Sequence, residues 1–177
     1  MIDSDLDPHK NETAMTTPLA ALYQHNLWAN LLSLEACSKL TDVQMDATAP
    51  GTYGTIRDTW KHIAGAEGRY VNLLRGEPRG ASLEHEPFPG FDKLRALLTQ
   101  SGQALVEIAE RARPGEVLHG TNRDGVPFEI PASIILIQAI NHATEHRAHI
   151  NVILTTLGAE APDLDGWAYS ASLEHQQ

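Results

Sequence analysis

The segment NHATEHRAHINVIL, residues 141–154, carries His142, His146 and His149 in an otherwise apolar stretch. An α-helix turns once per ~3.6 residues, so these positions fall within an arc of about 60° and the three imidazoles share one side of the rod. The same line runs back through Ala139 and Ile135 and forward to Ile153, so the histidines interrupt an apolar stripe. A buried polar group without a partner costs about 1 to 3 kcal/mol, and three of them on a core face need something in common to satisfy them. A divalent cation would do so. His142 and His146 are spaced to reach one ion, and a third imidazole from a neighbouring helix would complete a three-histidine site. His62 is the candidate third ligand: it falls mid-way along another helical segment, with Thr55, Thr59, Ala66 and Leu73 on its own face. Three protein ligands leave a position open, which is the arrangement of a catalytic site. The competing reading makes each histidine a core residue hydrogen-bonded to a carbonyl. His149 is open to two roles, a polar residue supporting the site from beside it or a fourth ligand.

Long helices must position these residues. Thr17 and Pro18 form a cap and first-turn pair for a helix through residues 19–40. Its residues Leu19, Leu22 and Leu34 suit a bundle core. Trp28, Leu31 and Leu32 lie well round from them, so that face is either a wide buried one or is covered by a second subunit. The Thr/Asp/Pro/Gly-rich stretch TDVQMDATAPGTYG reads as a loop. Thr55 then caps the helix that carries His62, with Asp58 placed for a near capping box, and Gly76 ends it. EPRGASLEHEPFPG reads as an irregular crossover, and a third helix runs from Phe91 to stop before Pro114 and Gly115. Two β-prone pieces within residues 117–130 flank Asn122-Arg123-Asp124-Gly125, a hairpin signal. Pro131 opens the histidine helix, which runs to Leu157 with Gly158 as its stop. Trp167 and Tyr169 in the tail are expected to fold back over the bundle. The fold class is all-α: a four-helix bundle with long crossover connections and a small β-hairpin before the last helix.

Composition narrows the function. The 177 residues suit one domain, 16–177, preceded by a mobile acidic tail over residues 1–15. The net charge of −10, with Lys and Arg totalling 13 and no run of them, gives no footprint for nucleic acid or an anionic membrane. The N-terminal stretch lacks the pattern of a signal peptide and no segment has the apolar length of a membrane span, so a cytoplasmic location is expected. The single cysteine, Cys37, excludes an intrachain disulfide and reads as a packing residue, since no neighbour in sequence would depress its pKa.

YQHNLWAN (Tyr23 to Asn30), His62 followed by small residues, and NHATEHRAH (Asn141 to His149) together resemble the DinB family, and the helix order, crossover and hairpin match it over about residues 17–170. The resemblance implies that His62, His142 and His146 bind a divalent metal, zinc or nickel, in a homodimeric bundle. It further implies activation of a low-molecular-weight thiol cosubstrate for transfer to an electrophilic small molecule, or for isomerisation. Two positions depart from the common pattern: His149 stands where many members have Gln, and Glu145 where many have His. His149 and Glu145 are therefore the candidates for acid-base chemistry beside the metal. Arg147 and Asn141 read as residues holding the helix against its neighbours.

Two rivals remain. His142-Ala143-Thr144-Glu145-His146 spells the H-x-x-E-H signature of inverted zinc proteases, but the α/β scaffold of those enzymes is missing and Glu145 falls at the edge of the histidine face. A simpler metal-dependent hydrolase with Glu145 as general base, and a non-catalytic metal-binding dimeric stress protein, are the alternatives to a thiol transferase.

Overall fold

The chain order is α1 (Pro18–Ser38), α2 (Asp42–Met45), α3 (Ile56–Leu74), α4 (Phe91–Arg111), β1 (Val117–Thr121), β2 (Pro127–Pro131), α5 (Ala132–Thr156) and α6 (Gly166–Glu174). This is a computed structural model that describes residues 16–80, 82–122 and 124–175. The segment 1–15, read as a mobile tail, and Arg123 of the hairpin turn lie outside the described residues.

Local chemistry sets the helix ends. The Thr17 hydroxyl accepts from the Ala20 amide with Pro18 in the first turn, and the Thr55 hydroxyl accepts from the Asp58 amide. Gly158, at φ +68°, follows the end of α5 in the left-handed conformation that a side chain disfavours. The hairpin forms as expected, β1 and β2 pairing antiparallel with His119 opposite Glu129 and Gly120 opposite Phe128. Two short helices lie where the sequence reads as loop or tail. α2 is closed by a capping box between Thr41 and Gln44, and α6 is capped by Asp165. No described helix is long and apolar enough to cross a membrane.

The core is two apolar clusters with a polar layer between them. One cluster joins Leu34 and Cys37 of α1, Ile56, Trp60 and Ile63 of α3, Leu94 and Leu98 of α4, and Ile150, Ile153 and Leu154 of α5. The other joins Tyr23, Val71, Leu105 and Leu136 with small alanines. α1 and α5 run from the second cluster to the first, whereas α3 and α4 both run from the first to the second. Two consecutive helices pointing the same way need a long return, and residues 75–90 supply it.

In the layer between, the buried Arg147 guanidinium donates to the amide oxygens of Asn26 (2.8 Å) and Asn30 (2.6 Å). The two amide nitrogens donate onward to one carboxylate oxygen of Glu67, at 3.4 and 2.9 Å, and the Ser101 hydroxyl donates to the other at 2.6 Å. All four long helices are thereby tied together. Burial raises the Glu67 pKa, against the pull of Ser101, Asn30, Arg147 and Asn26. Burial likewise lowers that of Arg147 to about 10, still a cation at neutral pH.

This layer corrects the reading of α1. Its inward face is Ala20, Tyr23, Asn26, Ala29, Asn30, Ser33, Leu34 and Cys37, while Leu22, expected in the core, is 44% exposed. Burial pushes the Cys37 thiol up to about 11, as befits a packing residue. The Trp28 side of α1 is partly covered by the chain itself: Tyr169 of α6 packs on Trp28 and His25, with ring centroids 5.2 and 5.4 Å apart. Trp167, expected to fold over the bundle with it, is 85% exposed. Arg147 does hold α5 to its neighbours, whereas Asn141 is exposed on the outer side of that helix.

Removing one member of a buried charged network strands the rest. Arg147→Ala is expected to destabilise the metal-free protein by about 3–5 kcal/mol in urea denaturation. A loss below about 1 kcal/mol would show that the layer is not the tie described.

Candidate metal centre

His62 on α3 and His142 and His146 on α5 each bring one ring nitrogen to a common point, all within 4.8 Å of one another. The crossing of α3 and α5 beside the polar layer makes this possible: His62 lies five residues before Glu67, and His146 immediately precedes Arg147. Packing is edge-to-face, the His146 ring centroid standing 4.7 Å from that of His62 and 4.4 Å from that of His142.

Protonation follows from the surroundings. His62 Nδ1 donates to Glu84 at 2.9 Å, and the same carboxylate oxygen accepts from Arg69 at 2.9 Å. A carboxylate only accepts, so His62 Nδ1 carries a proton and Nε2 is the ring nitrogen turned to the centre. Burial pushes the Glu84 carboxyl up, but the Arg69 and His62 hydrogen bonds outweigh it and hold it below its ordinary value. Burial, then the neighbouring His146, His62 and Arg69, lowers His142 to about 4. Burial, then His62 and His149, lowers His146 to about 4. His142 and His146 are therefore neutral at pH 7, the form that binds metals.

The donor set fits a divalent ion. His142 Nε2 lies 2.8 Å from His62 Nε2. Two nitrogens on one tetrahedral zinc with bonds of about 2.0–2.1 Å sit about 3.3 Å apart, so the pair opens by about half an ångström to admit it. His146 Nδ1 is buried and finds no hydrogen-bond partner among the described residues.

Of the other residues singled out by spacing, His149 is half-buried with its ring 5.4 Å from that of His146, outside the converging set, and its Nδ1 is also buried without a partner. Glu145 is exposed and joins neither the cluster nor its hydrogen bonds among the described residues. Two neighbours escaped the sequence reading. Glu84 comes from the irregular crossover, where no periodicity marks it. Tyr53 comes from the loop before α3; its ring stacks on His62 at 4.2 Å and meets His146 edge-on at 4.9 Å. On the opposite side Tyr70 meets His142 edge-on at 5.8 Å.

The profile of the DinB family matches residues 15–176. The chain belongs to the DinB family. The fold is similar to that of a DinB-like protein from Bacillus cereus ATCC 10987, known from a crystal structure. The TM-score is 0.61 and the identity 19%, over 82% of this chain and 94% of that one. At that identity the likeness speaks for the fold alone. Among curated proteins none matches. DinB membership and the histidine triad together are compatible with a divalent metal.

The depressed values of His142 and His146 have a measurable effect. Between their ordinary value of 6.5 and about 4, the unfolded chain binds protons that the folded chain refuses. Their contribution to metal-free stability is complete above pH 6.5 and lost as pH falls through about 4. The double variant His142→Gln/His146→Gln should show a flatter decline of Tm over that window than the parent. An equal decline would contradict the burial argument.

Proposed function

We propose that the chain holds one zinc or nickel ion through His62, His142 and His146, and activates a low-molecular-weight thiol for transfer to an electrophilic small molecule. What carries the reading is the convergence of three ring nitrogens, backed by Glu84. Three ligands from the chain leave room for a fourth from outside. When bound, the ion supplies the positive charge that lowers the pKa of a thiol and makes it nucleophilic at neutral pH.

The chain's own residues prepare that chemistry. Glu84 fixes the tautomer and ring direction of His62 and is itself held by Arg69. Tyr53 lies over the His62 face and against His146, shielding those rings from water on the loop side. His149 is the titratable group beside His146 that does not converge with the three, and it is the acid-base residue of this reading. Glu145 as a hydrolytic base is less favoured, because its carboxylate is exposed.

A second reading, a metal-binding module without turnover, is favoured by one observation. None of the three histidines lines the 810 Å³ cavity between α3 and α4 or the 580 Å³ cavity beneath the hairpin. Metal-loaded protein assayed with a panel of cellular thiols and one chromogenic electrophile separates the two. The thiol reading expects turnover with one ion per chain, both lost in His62→Ala and in His142→Ala. In His149→Gln the ion is retained, and the pH dependence due to this imidazole disappears. Full metal occupancy in both alanine variants would contradict the ligand assignment, and an ion without turnover would leave the module.

The proposed assembly is a twofold homodimer. Leu22 on α1 and Ile134, Ile137 and Val152 on α5 are large apolar side chains 44–56% exposed, and the three on α5 share a stripe. Light scattering is expected to give twice the chain mass of 19.3 kDa, and a monomer at micromolar concentration would contradict it.

A further inference from the structure

A second feature adjoins the histidine centre. A cavity of about 580 Å³ lies between the C-terminal part of α3, the crossover after it and the hairpin, within the size range of small-molecule sites. Its apolar side is made by Tyr70 and Leu73 of α3, Phe128 of β2 and Ile135 of α5. The hairpin is shaped to leave this space. A Cβ on Gly120 would stand 2.5 Å from Phe128 Cζ, so a glycine opposite Phe128 lets that ring lie flat across β1.

The charge on the wall is uneven. Arg69 and Arg79 face one carboxylate, Glu77, in a chain whose net charge is −10. Arg69 gives Nη2 to Glu84 and keeps a buried Nη1 without a partner among the described residues, and His119 is paired with Glu129 at 3.2 Å. Arg79 pairs with no carboxylate among the described residues. The cavity thus offers an apolar floor and one uncommitted guanidinium, a combination that recognises a carboxylate on an apolar body.

Two residues of the wall also touch the histidine centre. Tyr70 separates the cavity from His142, edge-on to it at 5.8 Å, and Arg69 holds the carboxylate that holds His62. We propose that this cavity is the specificity pocket of the centre: it binds the carboxylate end of an elongated small organic acid on Arg79, with the apolar middle on Tyr70, Leu73 and Phe128. The far end then reaches past Tyr70 toward His142. On this reading the reacting group is separated from the carboxylate by the apolar middle that lies on Tyr70. The link to the reacting end rests on the metal-centre reading, whereas the carboxylate pocket stands on its own geometry.

The test uses the full chain, metal-free and zinc-loaded, titrated by NMR with 4-phenylbutyrate and its uncharged amide. The carboxylate is expected to move the amide signals of Leu73, Gly120 and Phe128 and the His142 ring signals in the metal-free chain. It should bind about tenfold more tightly than the amide, the scale of one charge-assisted contact. Arg79→Gln, at an exposed position, should lower the carboxylate's affinity about tenfold, leave the amide's unchanged and leave zinc uptake intact. Equal binding of acid and amide, an unaltered affinity in Arg79→Gln, or shifts confined to other parts of the bundle would overturn the pocket. Shifts at Leu73, Gly120 and Phe128 with an unmoved His142 ring would overturn its link to the centre. Failure of zinc to bind would strike the metal reading alone, because the pocket is measured without it.

Discussion

The buried chain of charge from Arg147 through Asn26 and Asn30 to Glu67 governs where the chemistry can be. Apolar side chains tolerate rotation of one helix against another at modest cost, but a guanidinium that must meet two amide oxygens does not. With Arg147 turned toward α1, the preceding residue, His146, is turned toward α3, and His142 one turn earlier follows it. Glu67 fixes α3 in the same layer and so presents His62, just over one turn away. The bundle thus accepts the desolvation of several polar groups in its middle, and gains a single rotational setting for α5.

The centre inherits its electrostatics from that position. Burial and mutual proximity keep His142 and His146 unprotonated, and Glu84 with Arg69 directs Nε2 of His62 inward. Unprotonated His142 and His146, with His146 Nδ1 buried and unsatisfied, are a costly arrangement for a bundle to keep without a cation. The same arrangement is what a divalent ion requires, deprotonated donors held in place before it arrives.

The helices, the hairpin and the histidine face were legible because each rests on short-range signals: caps at Thr17 and Thr55, turn chemistry at Asn122 and Gly125, and a period of ~3.6 on α5. The polar layer was not. Asn26 and Asn30 look like surface residues on α1 because their partner, Arg147, is more than a hundred residues away, and the hydrophobic pattern therefore sent Leu22 inward in their place. His62 was found by type and by position on its helix, and its convergence with the α5 pair is a long-range contact. Glu84 and Tyr53 lie on segments without periodicity, so only the return of the crossover and of the loop before α3 brings them to the centre. α6 is not legible because a nine-residue helix in a tail has too few turns to show a face.

The proposed centre requires that three imidazoles, and no fourth, meet at one ion. X-ray absorption at the metal edge of the zinc-loaded full chain measures this directly, by counting imidazole scatterers in the first coordination sphere. Three imidazole nitrogens are expected at about 2.0–2.1 Å, with a remaining donor that a thiol added to the sample replaces by sulfur at about 2.3 Å. Four imidazoles would place His149 in the sphere and close the site. Two or fewer would mean that the convergence of His62, His142 and His146 is not a metal centre.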